Sequence, residues 1–331
     1  MSAPHHAATA LESQIRSQPE VLQQVIDDPD TRRQVHAAAE GLHRVHRIWL
    51  VGTGTSLHAA ELGATMLAEA GRTAQAVSSM HFVEWAPPVG PRDGVIVITH
   101  TGETAYARSA RSQAFTGGLA VYAITRQGGN LPDSIETIPK EPSETYTASY
   151  TATLAVLAML AGALGAQNYG EEALAAVPGA VQAALDAPGI DDIAAPQRLL
   201  VLTGAGPASV TAREGALKAR EAARFLAEGF DAEYLLHGNA VPLTTQDRIL
   251  ALTTPDPGGF VGRLSDVAAS AGIAVSRLAE PSPLGPTLAQ IPLTVRLQLL
   301  ALRLAGERGQ DPDTVIVPPW DDEALWRIGA P

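Results

Sequence analysis

The stretch VGTGTSLHAAELGA, Val51–Ala64, decides the fold. It follows Ile48, Trp49 and Leu50, so a short apolar strand runs into a loop of Gly, Thr and Ser. An Ala- and Leu-rich helical stretch then begins at Leu57. Strand, glycine-bearing turn and helix in that order make the unit of a parallel sheet covered by helices. Working outward, strands are expected at Ile48–Val51, Thr73–Val77, Val95–Thr99, Leu119–Thr125 and Ile135–Ile138. Helices are expected at Leu57–Ala70, Thr104–Phe115 and Ala148–Leu164. The second half repeats the theme: RLLVLTGAGPAS (198–209) echoes RIWLVGTGTSLH (47–58), and RILALTTPDPG (248–258) echoes GVIVITHTGET (94–104). Such self-similarity marks a duplicated unit. The expected architecture is α/β, two tandem subdomains, each a doubly wound, mostly parallel five-stranded sheet flanked by helices in an αβα sandwich. Residues 1–45 form a helical arm, 46–175 the first subdomain and 176–331 the second, joined near 165–195.

Composition narrows the function. The 331 residues are 46% hydrophobic and 18% charged, as in a globular chain with sizeable cores. ATLAVLAMLAGALGA (152–166) is the most apolar run, too short and Ala-rich for a bilayer span, and reads as a buried helix. The opening MSAPHHAATALESQ lacks the pattern of a secretory signal, so a cytoplasmic location is expected. With no cysteine there is no disulfide, thiolate metal site or cysteine nucleophile. No metal and no cofactor are expected. A net charge of −12 with two lysines, Lys140 and Lys218, argues against nucleic acid as a partner. An anionic small molecule remains possible if backbone amides and hydroxyls hold it.

Two loops supply those groups: Gly52–Ser56 and Thr99–Thr104, each between a strand and a helix. In a doubly wound sheet, ligands gather beyond the carboxyl ends of the strands. A helix N-terminus there binds phosphate through free N–H groups and its dipole, without lysine. A dinucleotide fingerprint would need glycine at position 57, where Leu57 stands, and an acidic residue where Val77-Ser78-Ser79 ends the next strand. No Gly-Lys pair exists for a Walker loop. Ordinary helix-capping turns are the bland alternative.

With both loops in view, the chain resembles the sugar isomerase (SIS) domain family, and within it the isomerase half of glucosamine-6-phosphate synthase. The family pattern C-G-T-S-x-x-A is met by Thr53-Gly54-Thr55-Ser56-Leu57-His58-Ala59, and S-Q-S-G-E-T by Thr99-His100-Thr101-Gly102-Glu103-Thr104. E-x-x-V-A-S-T is met by Glu144-Thr145-Tyr146-Thr147-Ala148-Ser149-Tyr150. E-G-A-L-K-x-K-E is met by Glu214-Gly215-Ala216-Leu217-Lys218-Ala219-Arg220-Glu221, and the later K-H-G-P by Leu236-His237-Gly238-Asn239. The resemblance implies that Thr55, Ser56, Thr99, His100, Thr101 and Thr104 hold a sugar phosphate, with His100 in place of a glutamine. It implies that Thr147, Ala148, Ser149 and Lys218 approach the sugar. It further implies a homodimer with active sites near the subunit interface.

By the same resemblance, Glu221 shuttles a proton between C1 and C2 of the sugar and His237 assists ring opening. A carboxylate and an imidazole both come within reach of working pH once tuned. Independently, Glu214, Lys218 and Glu221 fall at i, i+4 and i+7 on one helix face, a spacing that equally suits a surface ion-pair ladder. The synthase's cysteine nucleophile is missing, and no lysine follows Lys218 to serve in amine transfer. The expected function is therefore a stand-alone phosphosugar isomerase or deaminase working on an amino-sugar or ketose 6-phosphate. The alternatives are a non-catalytic sugar-phosphate sensor and a fructosamine-phosphate deglycase, with a nicotinamide dehydrogenase a distant third.

Overall fold

The structure is a computed structural model describing residues 8–329 except 130, 255, 281, 282 and 327, and the side chain of Trp326. Two helices lead, α1 (Ala10–Asp27) and α2 (Pro29–Leu42). The first unit follows: β1 (Arg47–Gly52), α3 (Thr55–Glu69), β2 (Thr73–Ser78), α4 (Ser79–Glu84), β3 (Asp93–Ile98), α5 (Ala105–Thr116), β4 (Ala120–Thr125), β5 (Ser134–Glu136) and α6 (Ala148–Ala163). Its five strands lie in the order β2-β1-β3-β4-β5, all neighbours parallel, with Arg47 opposite both Thr73 and Asp93. The order reverses at β1/β3, so the loops after these two strands flank the switch point of a doubly wound sheet. Central β3 is buried along its whole length, as a strand covered on both faces must be.

The second unit holds α7 (Glu171–Asp186), β6 (Leu200–Gly204), α8 (Pro207–Ala223), β7 (Ala227–Asp231), α9 (Ala232–Tyr234), β8 (Arg248–Thr253), α10 (Phe260–Ser270), β9 (Ala274–Ala279) and α11 (Gln290–Glu307). Its sheet corrects one expectation: among the described residues it has four parallel strands, β7-β6-β8-β9, not five. In the first unit β5 follows β4 after a short loop; in the second, no strand stands between β9 and α11 among the described residues.

The duplication read in the sequence recurs in the backbone. Gly54 (φ 54°, ψ −131°) and Gly206 (φ 56°, ψ −129°) precede α3 and α8 in nearly the same conformation, one that only glycine adopts readily. Each unit also pins its first strand alike. The Arg47 guanidinium donates to Asp93 and to the Pro88 carbonyl. Arg198 does the same to Asp247 and to the Pro242 carbonyl. Arg198's hydrogen bonds, outweighing burial, hold Asp247 down at about 2.

The core lies largely between the units. α6 is buried on every face from Ala148 to Ala161, which explains why ATLAVLAMLAGALGA shows no polar stripe. Around it α1 packs against α6, α7 and α11, while α3 meets both α6 and α8. Polar seams cross this core: Thr151 donates to Gln18 and Gln18 to Gln298, both at 2.7 Å. Among the described residues, no helix is long and apolar enough to cross a membrane.

Candidate active site

The α3–α6 side of the first sheet opens into a cleft at the carboxyl end of its strands. Thr55, Ser56, His100, Tyr146, Ser149 and Tyr150 line it, around a small cavity of about 40 Å³. Residues from three segments meet there because each lies just past a strand or at a helix start. Thr55 and Ser56 open α3, His100 follows β3, and Ser149 and Tyr150 begin α6. The His100 carbonyl is tied down by Thr125 Oγ1 (3.2 Å) and Arg126 N–H (3.0 Å). Its ring lies edge-on to Tyr146 with centroids 5.2 Å apart.

A buried charge chain adjoins this cleft. Glu214, on α8 and fully buried, accepts from Thr55 Oγ1 at 3.1 Å and stands 2.6 Å from His58 Nδ1. Lys218 Nζ, 1% exposed, lies 3.5 Å from Glu214 and donates to Glu221 Oε2 at 2.5 Å. Helical spacing puts Glu214, Lys218 and Glu221 on the α8 face that packs on α3, so the ladder is a core feature, not a surface one. Burial favours the neutral form of Glu214. The Lys218 charge and the hydrogen bonds from His58 and Thr55 outweigh it and hold the carboxyl below its ordinary range. Burial also opposes the Lys218 charge, yet Glu221 and Glu214 raise its pKa. For Glu221 burial wins: its carboxyl is raised above the usual range, although Lys218 pulls the other way. The Glu221 charge reaches Tyr146 on the cleft wall, so the chain and the cleft form one electrostatic neighbourhood.

The other residues expected from sequence fall into place unevenly. Thr99 is buried and its hydroxyl accepts from Gly102 N–H, while Thr101 accepts from Glu103 N–H; both shape the second loop. Thr104 caps α5 through its backbone and is exposed. Thr147 and Ala148 are buried, and their amides donate to the Glu141 carboxylate, as does the Ser149 amide. Gln14 Nε2 also donates to Glu141, at 2.5 Å. Glu141 thus occupies the N-terminus of α6, where the helix dipole favours an anion. His237 is not brought to the cleft within this chain. It sits in a kinked segment after α9, its side chain 72% exposed, with Glu233 4.0 Å away. Sequence reasoning assigned no role to His58, Tyr146 or Glu141. The i, i+3 relation of Thr55 and His58 on α3 was the available signal for the first. Among the described residues no cluster of three or more His, Asp or Glu side chains is placed to hold a metal ion.

Comparison with known proteins bears on this geometry. The family model of the SIS domain matches residues 41–163. A curated relative, glutamine–fructose-6-phosphate aminotransferase (isomerizing) of Thermococcus kodakarensis, is 28% identical over 91% of this chain and 55% of its own length. The chain spans about half the length of the curated relatives it matches. Among solved structures, tagatose-6-phosphate ketose/aldose isomerase from Escherichia coli superposes with a TM-score of 0.81 at 19% identity, covering 97% of this chain and 99% of that one. Glucosamine-6-phosphate deaminase from Thermotoga maritima gives 0.75 at 16% identity, covering 95% and 98%. At these identities the two structures establish the shared fold.

Proposed function

We propose, from the premise that this chain carries an SIS domain at residues 41–163 and a second parallel-sheet unit behind it, that it is a phosphosugar isomerase or amino-sugar-phosphate deaminase. The observation that carries this reading is the Glu214 carboxylate. It joins Thr55 and His58 of the hydroxyl-bearing helix to Lys218 and Glu221 of the other unit. A group able to hold the substrate's phosphate and a group able to move its proton are thereby fixed relative to one another.

In this reading the phosphate of a ketose or amino-sugar 6-phosphate sits against Ser56, His100 and the second loop. Thr101, Thr104 and the Thr99-supported backbone complete its cradle. Ser149 and the Thr147–Ala148 turn bound the sugar. Glu221 takes the proton from one of C1 and C2 and returns it to the other. Its raised pKa suits a carboxyl that must both accept and donate a proton. Lys218, buried between Glu214 and Glu221, supports the enediolate-like anion with its positive charge from behind Glu221, and Glu214 holds Lys218 in place. His237 is exposed, so in this reading it opens the ring in the site of a second copy, in a homodimer. Names of the relatives support the substrate class: fructose-6-phosphate, tagatose-6-phosphate and glucosamine-6-phosphate all appear among them.

The exposure of His237 favours a second reading, a binding protein without turnover. Proton NMR in D₂O with hexose and amino-hexose 6-phosphates, with and without ammonia, separates the two. Deuterium entering C1 or C2, or release of the amine, is the expected result. Binding shifts across the panel with no exchange overturn the catalytic reading and leave the sensor.

A further inference from the structure

Two side chains of the cleft wall carry polar atoms that find no partner among the described residues: both ring nitrogens of His100 and the hydroxyl of Tyr150. All three atoms are shielded from solvent, and Tyr150 is 2% exposed. Leaving such groups unsatisfied is costly, so a buried pair lining one cavity points to a ligand that pairs with them. These are also two places where the cleft departs from the motifs it otherwise follows, His for Gln at 100 and Tyr for Thr at 150.

The charges around His100 define that ligand. Arg126, beyond β4, and Lys140, beyond β5, both act on it, and no carboxylate figures among the groups that do. From the α6 side comes Tyr146, a neutral ring edge, itself facing Glu141, Glu144, Glu103 and Glu221. From α3 come only the hydroxyls of Thr55 and Ser56. Of these, Thr55 already donates its proton to Glu214. Burial and the two cations together lower the His100 pKa to about 4, so its free ring is neutral at pH 6–7. Burial of the Tyr150 hydroxyl, aided by the Glu214 charge, raises its pKa well above the ordinary value, so it remains a donor.

We propose that His100 and Tyr150 form a proton-linked clamp for a tetrahedral oxyanion, in which His100 takes up a proton as the anion enters and Tyr150 donates its hydroxyl proton in a hydrogen bond. The proton comes from solvent hydronium or buffer acid and forms an N–H bond on the ring, and no bond within the anion is made or broken. An anion set among His100, Arg126 and Lys140 replaces the repulsion that keeps the free imidazole neutral with attraction. The inference rests on the phosphate-binding reading above and adds to it: this site binds phosphate esters with proton uptake, as a glutamine in the same place would not.

The test is calorimetric titration of the full chain with sodium sulfate, which does not ionise in the working range, and with inorganic phosphate, over pH 5–8. Between the free-imidazole pKa of about 4 and the higher pKa of the complexed imidazole, wild type is expected to lose affinity for sulfate by about tenfold per pH unit, with uptake of about one proton per anion over that same range and a flat slope with no uptake above it. In His100→Gln the slope should be flat and proton uptake absent. In Tyr150→Phe binding should weaken by about tenfold with the slope unchanged, a loss typical of one hydrogen bond to a charged group. If a substituted protein gives no cooperative melt, the ring proton signal of His100 in wild type decides, because it moves to the protonated position on adding sulfate only if the clamp exists. An equal slope in His100→Gln, or a slope flat across the whole pH range in wild type that binds sulfate, overturns the clamp. Exchange of deuterium into a sugar phosphate alongside that result leaves the proposed function standing. Absence of binding by either anion and absence of exchange overturn both.

Discussion

At the scale of single residues, Glu221 differs from its neighbours on α8. Glu214 and Lys218 are sealed from solvent and hold one another in their charged forms, whereas Glu221 is partly open and its carboxyl is raised. A base must be ionised to take a proton, so activity should climb as pH rises through the raised pKa of Glu221, placing the acidic limb above the range of an ordinary glutamate. Glu221→Gln keeps the shape and removes the proton carrier. It should lower deuterium exchange by about 10²–10⁴-fold while sugar-phosphate binding persists, since general acid–base groups contribute on that order. Equal exchange rates in the two proteins would remove Glu221 from the mechanism. Much of this site was legible in sequence, because Thr55, Ser56, His100 and the Glu214–Lys218–Glu221 spacing each sit in a short motif. His58 was legible only through its spacing from Thr55, and Glu141 not at all. Their partners, Glu214 and the α6 N-terminus, are contacts of the folded chain: one lies in the other unit, the other follows an irregular loop.

Among elements, α8 holds the residues of the proposed chemistry, and two glycines let its neighbours approach it. A Cβ on Gly229 of β7 would lie 2.4 Å from the Arg213 backbone, and one on Gly215 would lie 2.6 Å from Leu297. Backbone does not yield as a flexible side chain does, so Gly229→Ala should push β7 off α8. It should cost about 1–3 kcal/mol or more, the range seen for overpacked cores. Because α8 holds Glu214, Lys218 and Glu221, exchange activity should fall further than stability alone explains, measured at a temperature where the variant is still folded. A variant with unchanged midpoint in urea would show that this contact is looser than it stands. The eight elements expected in the first unit were all readable, since apolar runs, glycine turns and Ala/Leu helices are local signals. The missing fifth strand of the second sheet was not, because the echo of 47–58 and 94–104 in 198–209 and 248–258 covers only its inner strands.

At the scale of the molecule, the chain divides in sequence more cleanly than in space. The segments 1–45, 46–175 and 176–331 remain our proposed division, but the boundary after 175 falls inside α7, and the first segment is packed into the other two. Leu11, Ile15, Leu22, Val25 and Ile26 of α1 are buried in the core that α6, α7 and α11 complete. At about 1.5–3 kcal/mol for each large apolar side chain, these five contribute as much as the whole net stability of a typical domain, about 5–15 kcal/mol. Gln18 adds a buried link between Thr151 of α6 and Gln298 of α11, and Asp313 accepts from the Ala10 and Leu11 amides. Helical periodicity alone cannot distinguish such a keystone from a solvent-facing arm, because both show one apolar stripe. Deleting residues 1–28 should therefore abolish the cooperative thermal transition and the near-ultraviolet circular dichroism, and expose apolar surface to a hydrophobic dye. A truncated chain that still melts cooperatively within a few degrees of the full one would show that α1 is dispensable, and that the two units close their common core without it.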